Sequence, residues 1–209
     1  MKSFDQLLNE SVERHGHLCA GQVIGVRMAM LGCRLVGIED PKDATYAKKL
    51  IVFVEIDRCA TDAIESVTGC RMGKRTLKFK DFGINAATFL NLDTHRAFRI
   101  VSTERSRELC KDFAPTGVDP KRQQIEGYKS MPDELLFDVR QVQVSLGEWD
   151  MPGPPRRHSV CTRCGQMVRD GKEFKVGDET LCGPCSGESY FYPAGAGNSV
   201  ESETLVGEA

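Results

Sequence analysis

Cys161-x2-Cys164, seventeen intervening residues, then Cys182-x2-Cys185 is the feature that most restricts how this chain can fold. Two close thiolate pairs separated by a loop of that length can wrap one tetrahedral zinc ion. Four thiolates leave no open coordination position, so such a site is structural. Two redox pairs or two disulfides are the competing readings. The chain has nine cysteines, an odd number, and its N-terminus, MKSFDQLLNESVERHGH, lacks the apolar core of a secretory signal. Reduced thiols and a cytoplasmic setting are therefore expected. No apolar run approaches the roughly 18 residues that would span a bilayer, so no membrane partner is expected.

The four cysteines also divide the chain. Met151-Pro-Gly-Pro-Pro155 reads as a stiff linker. The organisation expected is a core domain over 1–150, a linker over 151–157, a zinc finger over 158–197 and a flexible acidic tail over 198–209. Within the finger, Cys161-Thr-Arg-Cys164-Gly165 has the form of a zinc knuckle. Val168 to Thr180 reads as a hairpin turning at Gly171. Cys182-Gly-Pro-Cys185 places the second pair at a helix start, where Pro184 is tolerated. Knuckle, hairpin and helix together resemble a treble clef. Residues 151–176 carry six Lys/Arg against two acids. That patch allows phosphate contact, but with few aromatic residues beside it, protein contact is the stronger reading.

The larger domain is 40% apolar by whole-chain composition, enough for a core, and the net charge of −2 marks no polyanion binder. Ser3 with Gln6 predicts a capping box, with Phe4, Leu7, Leu8 and Val12 on one helical face. A second helix starts near Ala20, and its Gly21 and Gly25 imply close approach to a neighbour. Asp40-Pro41 reads as the start of a short third helix. LIVFVEI, residues 50–56, predicts a central strand. A helix over about 60–68 follows, then strands near 77–82, 86–90 and 98–102, a helix over 106–113 and a strand over 139–146. That order is α+β: a mixed sheet with packed helices.

His15-Gly-His17-Leu-Cys19 places three metal donors within five residues, and Cys59 falls between the predicted strand and its helix. Cys19 and Cys59 both stand at helix starts, where the dipole favours a thiolate. Together they suggest a Cys/His metal site with an open position; one reactive thiol among unrelated polar residues is the alternative. Cys70 is a second-tier ligand if it approaches Cys59. Asp62, one turn past Cys59, either orients a histidine or lies on a solvated face.

These residues resemble the formylmethanofuran dehydrogenase E-subunit family. The resemblance rests on His15-Gly-His17-x-Cys19-x-Gly21 with Gly25-Val-Arg27-Met-Ala, on Cys59-x-x-Asp62-Ala-Ile, on Thr68-Gly-Cys70-x-x-Gly73-Lys74-x-x-Leu77, and on Asp81-Phe-Gly83. Two positions depart from its pattern: Ala20 stands for a proline and Ile84 for a common lysine, leaving Lys74 for any anion contact. The resemblance implies an α+β core, in some members followed by a treble-clef finger, and a homodimer. It implies a metal-binding accessory protein. The core would hold a second transition metal ion, zinc, through His17, Cys19 and Cys59, with His15 the weaker candidate. Structural zinc would sit on Cys161, Cys164, Cys182 and Cys185. A molybdenum or tungsten enzyme is the partner implied. The alternative is a metal-sensing or regulatory protein whose finger contacts protein or nucleic acid. No reaction or catalytic residue is assigned.

Overall fold

The computed structural model describes residues 1–194; the expected tail over 198–209 lies outside them. The chain divides into two compact units, Met1–Gly153 and a second beginning at Pro154.

The first unit is a five-stranded sheet with helices on one face. Its helices are α1 (Phe4–His15), α2 (Ala20–Leu35), α3 (Cys59–Thr68), α4 (Glu104–Leu109), α5 (Pro120–Ser130) and α6 (Asp133–Leu136). Its strands are β1 (Leu50–Val54), β2 (Leu77–Phe79), β3 (Ala86–Asn91), β4 (Ala97–Ser102) and β5 (Phe137–Val142), in the spatial order β2-β1-β3-β4-β5. β1 and β2 run parallel across α3, and the other pairings are antiparallel. The sheet is therefore mixed, with a single parallel crossover at one edge.

β1 sits inside the sheet because both of its faces are apolar. Leu50, Val52 and Val54 meet the helices, whereas Ile51 and Phe53 join Leu90, Ala97, Val142, Val144 and Leu146 on the opposite face. The helix-side core includes Phe89 and Ile100, both fully buried. Burying one such side chain stabilises by about 1.5–3 kcal/mol.

α1 begins with the capping box: the Ser3 hydroxyl accepts from the Gln6 amide while the Gln6 side chain accepts from the Ser3 amide. The neighbour implied by the α2 glycines is α3. A Cβ on Gly25 would lie 2.4 Å from the Ala60 carbonyl oxygen, and one on Gly21 would lie 2.8 Å from Cys59 Cβ. Arg27 of α2 donates to the Tyr128 carbonyl at 2.7 Å and pairs with Asp133 at 2.6 Å, tying α5 and α6 back onto the bundle.

Several elements depart from expectation. Asp40-Pro41 starts no α-helix; a turn leads to a single 3-10 turn, Ala44–Tyr46, capped by the Asp43 side chain. The last core strand begins at Phe137 and stops at Val142, and Val144 and Leu146 continue onto the apolar patch as irregular chain. α5 and α6 occupy a stretch where sequence pattern predicts no element. α5 buries only Ile125, Gly127 and Tyr128, too few apolar positions for a clear helical period.

The second unit holds β6 (His158–Val160), β7 (Met167–Arg169), β8 (Phe174–Val176), β9 (Glu179–Leu181) and the short helix α7 (Gly183–Ser186). It contains two hairpins where one was expected. β6 pairs with β7 around the knuckle, and β8 pairs with β9 around a turn at Gly177. Asp170 and Gly171, both left-handed, link the hairpins. The knuckle needs strands on both sides to fix its sulfurs, which commits β7 to β6.

Candidate metal centres

The finger site assembles at the ends of its strands. β6 delivers Cys161, and the turn through Cys164 and Gly165 (φ +73°) closes when the Gly165 amide donates to the Cys161 carbonyl at 2.9 Å. The Thr162 amide donates to the Thr180 carbonyl at 2.8 Å, which holds the knuckle against β9. Cys182 caps α7 and Cys185 lies inside it. Arg163 braces this end by donating to the Cys185 carbonyl at 2.7 Å and pairing with Glu179 at 3.0 Å.

All four sulfurs lie within 4.8 Å of one another. Cys164 Sγ and Cys182 Sγ are 3.7 Å apart. A tetrahedral ion with Zn–S bonds of about 2.3 Å requires sulfur separations of about 3.8 Å. The donor set therefore fits a closed thiolate site. Amides of Cys182, Cys164 and Arg163 point at Cys161 and pull its thiol down to about 6. Neighbouring thiols, Cys182 and Cys164 foremost, push Cys185 up to about 12. A cation among the sulfurs would relieve that conflict.

The core cluster gathers at the end of α1 and the starts of α2 and α3. His15 is the last residue of α1, which Gly16 ends in a left-handed conformation at φ +96°. Cys19 caps α2 in extended backbone with no side-chain cap bond, leaving its sulfur available. His15, His17 and Cys19 place donor atoms within 4.8 Å of one another, and the two imidazole centroids are 4.7 Å apart. His15 Nδ1 lies 2.9 Å from the Asp62 carboxylate, while its Nε2 is buried with no hydrogen-bond partner. A carboxylate on one nitrogen and a bare second nitrogen is how metal-binding histidines are held.

Cys59 stands outside that trio but contacts Cys19. Burial first, and then the Cys19 sulfur, raise its thiol above the ordinary range. The low-pKa thiol expected for Cys59 from its helix start is thus not what the geometry gives, because desolvation outweighs the dipole. Cys70 does not approach Cys59. The two flank opposite ends of α3, about 14 Å apart along a helix rising about 1.5 Å per residue. Cys70 is buried, with its thiol against the Leu50 carbonyl and pushed up to about 11 by that burial. Lys74 lies near Cys70 on an exposed 3-10 turn, away from the histidines.

Two residues of this site carry little signal in the sequence. Fully buried Gln22 accepts from the Ser11 hydroxyl and donates to the Cys59 carbonyl at 2.7 Å, joining α1, α2 and α3 at the cluster. A glutamine on the apolar stripe of α2 is the only hint the sequence offers of it.

The family model described as "FmdE, Molybdenum formylmethanofuran dehydrogenase operon" matches residues 14–143, a span containing every core candidate. The chain belongs to the FmdE family. FmdE membership accords with the fold of a solved relative, a tungsten formylmethanofuran dehydrogenase E-subunit (FmdE)-like protein from Syntrophus aciditrophicus. That structure superposes with a TM-score of 0.59 at 19% identity, covering 91% of this chain and 96% of that one. The chain is also 29% identical, over 92% of its length, to a probable S-adenosyl-L-methionine-binding protein of Archaeoglobus fulgidus. It spans 55% of that relative. No helix among the described residues is long and apolar enough to cross a membrane.

Proposed function

We propose that this FmdE-family protein is a metal-binding accessory protein of the cytoplasm, acting as a homodimer beside a molybdenum or tungsten enzyme. Its core holds a transition metal ion, zinc, through His15, His17 and Cys19, with Cys59 beside Cys19 as the fourth donor or as the wall of an open position. The finger holds a second, structural zinc on Cys161, Cys164, Cys182 and Cys185. One observation carries the core reading: the buried Nε2 of His15 has no partner while Asp62 holds Nδ1. A buried polar nitrogen left unsatisfied costs about 1–3 kcal/mol, which a bound cation removes. When bound, the ion supplies Lewis acidity at a face bordered by two thiols. Asp62 fixes the His15 tautomer, and Gln22 fixes the backbone of Cys59.

The alternative, a regulatory protein whose finger grips nucleic acid, draws less support. Arg157 pairs with Glu173, Arg163 with Glu179, and Lys175 donates to the Thr180 hydroxyl. Three of the six basic residues of that stretch are thus engaged within the finger itself.

Cobalt substitution tests the reading. Two Co(II) ions per chain should bind, one with the intense charge-transfer absorption of four thiolates and one with the weaker absorption of a mixed nitrogen–sulfur site. His15→Ala should remove only the second. A single four-thiolate spectrum in the unsubstituted protein would overturn the core assignment.

A further inference from the structure

A cavity of about 410 Å³ lies at the C-terminal end of α3, a full helix length from Cys59 and distinct from the core cluster. Its size falls in the range of about 300–1,000 Å³ usual for small-molecule sites. The buried part of its wall is Pro41, Leu50, Thr68, Cys70 and Thr76, and Tyr46 with Ala47 adds apolar surface nearer the mouth. Lys42, Lys48 and Lys74 also line it and are exposed.

The charge there is one-sided. Asp43 is the single acid on the wall, and its carboxylate is engaged by the Thr45 amide. Lys42 reaches Glu10 at 3.5 Å, whereas Lys48 and Lys74 have no ion-pair partner among the described residues. The end of α3 adds a partial charge of about −0.5, which leaves the wall positive. Two non-glycine residues in left-handed backbone, Lys48 (φ +63°) and Arg75 (φ +61°), flank the cavity. Strain of that kind clusters at ligand sites.

We propose that this cavity binds a small organic anion, with a ring-sized apolar body against Tyr46, Ala47 and Leu50 and a phosphate or carboxylate neutralised by Lys48 and Lys74. Such a ligand matches both halves of the wall, since neither a bare inorganic ion nor a neutral ring would use both.

Amide chemical-shift titration of the full chain tests this with three probes: phenyl phosphate, benzoate and neutral benzyl alcohol. At least one of the two anions should shift signals confined to residues 41–50 and 68–76, and benzyl alcohol should not. Which anion binds tighter distinguishes a phosphorylated from a carboxylated ligand. Lys48→Gln/Lys74→Gln should weaken that binding at least ten-fold, with all signals outside the cavity unchanged. Shifts scattered over surface lysines, unchanged affinity in the double variant, equal binding of benzyl alcohol, or no binding by either anion would each overturn the proposal.

Discussion

At the scale of a single side chain, the proposed core site turns on His15. Its residue type and spacing are visible in the sequence, but its rank is not. Position 15 reads as weaker than 17 because only the fold reveals that Asp62, forty-seven residues on, occupies Nδ1 at 2.9 Å. Asp62→Ala should therefore lower core metal affinity by about 10–100-fold while leaving the finger's metal in place. Chelator competition on each site measures this, and equal loss from both sites would contradict it. The finger sulfurs give a second prediction. Without metal at pH 7, Cys185 stays protonated with a pKa of about 12, and Cys164 lies above the ordinary thiol range. Zinc uptake should expel at least these two protons, measurable by titration in weakly buffered solution. The depressed Cys161 runs the other way. Its folded pKa of about 6 lies below the unfolded value of about 8.5. Its ionised form thus favours the folded finger above pH 8.5, and that contribution disappears as pH falls through 6.

Between elements, the contact that decides the site is α2 against α3. Replacing glycine by alanine inside a helix normally gains up to about 1 kcal/mol. At Gly25 the new methyl would meet the Ala60 carbonyl, backbone that cannot rotate aside, at 2.4 Å. Gly25→Ala should therefore destabilise by about 3 kcal/mol, the upper end of overpacking costs. Gly21→Ala, pressing on Cys59 Cβ, should instead perturb metal binding more than stability. Urea unfolding and metal affinity of the two variants separate these outcomes. That the glycines meet a neighbour is legible from their four-residue spacing, but which neighbour requires the fold. β1 is legible for a related reason: it is apolar on both faces, and position inside a sheet follows directly. α5 opens on the same Asp-Pro signal, Asp119-Pro120, as the Asp40-Pro41 stretch that forms no α-helix, so the cap alone does not single out a helix, and the apolar stripe that would is missing. The finger's hairpins are ambiguous in the sequence because Gly171 and Gly177 both suit a turn, and only the structure gives the hairpin turn to Gly177.

The whole molecule joins two units stabilised by different means. The first has a continuous apolar core spanning helices and sheet. The second buries only Cys161, Leu181 and Cys182 as apolar residues among those described, so an ion on its four cysteines would supply most of its folding free energy. Chelation of the full chain should raise amide exchange across 158–187 to near unfolded rates while β1, β3 and β4 stay protected. Loss of protection in both units together would show that the core also depends on its ion for stability. Two metal centres of different character are thus proposed for one chain. Metal content per chain tests this most directly, measured on the purified protein and on His15→Ala/Cys19→Ser. The expected result is two zinc ions falling to one, with the four-cysteine site still filled. One ion in both proteins would leave only the finger and contradict the core centre.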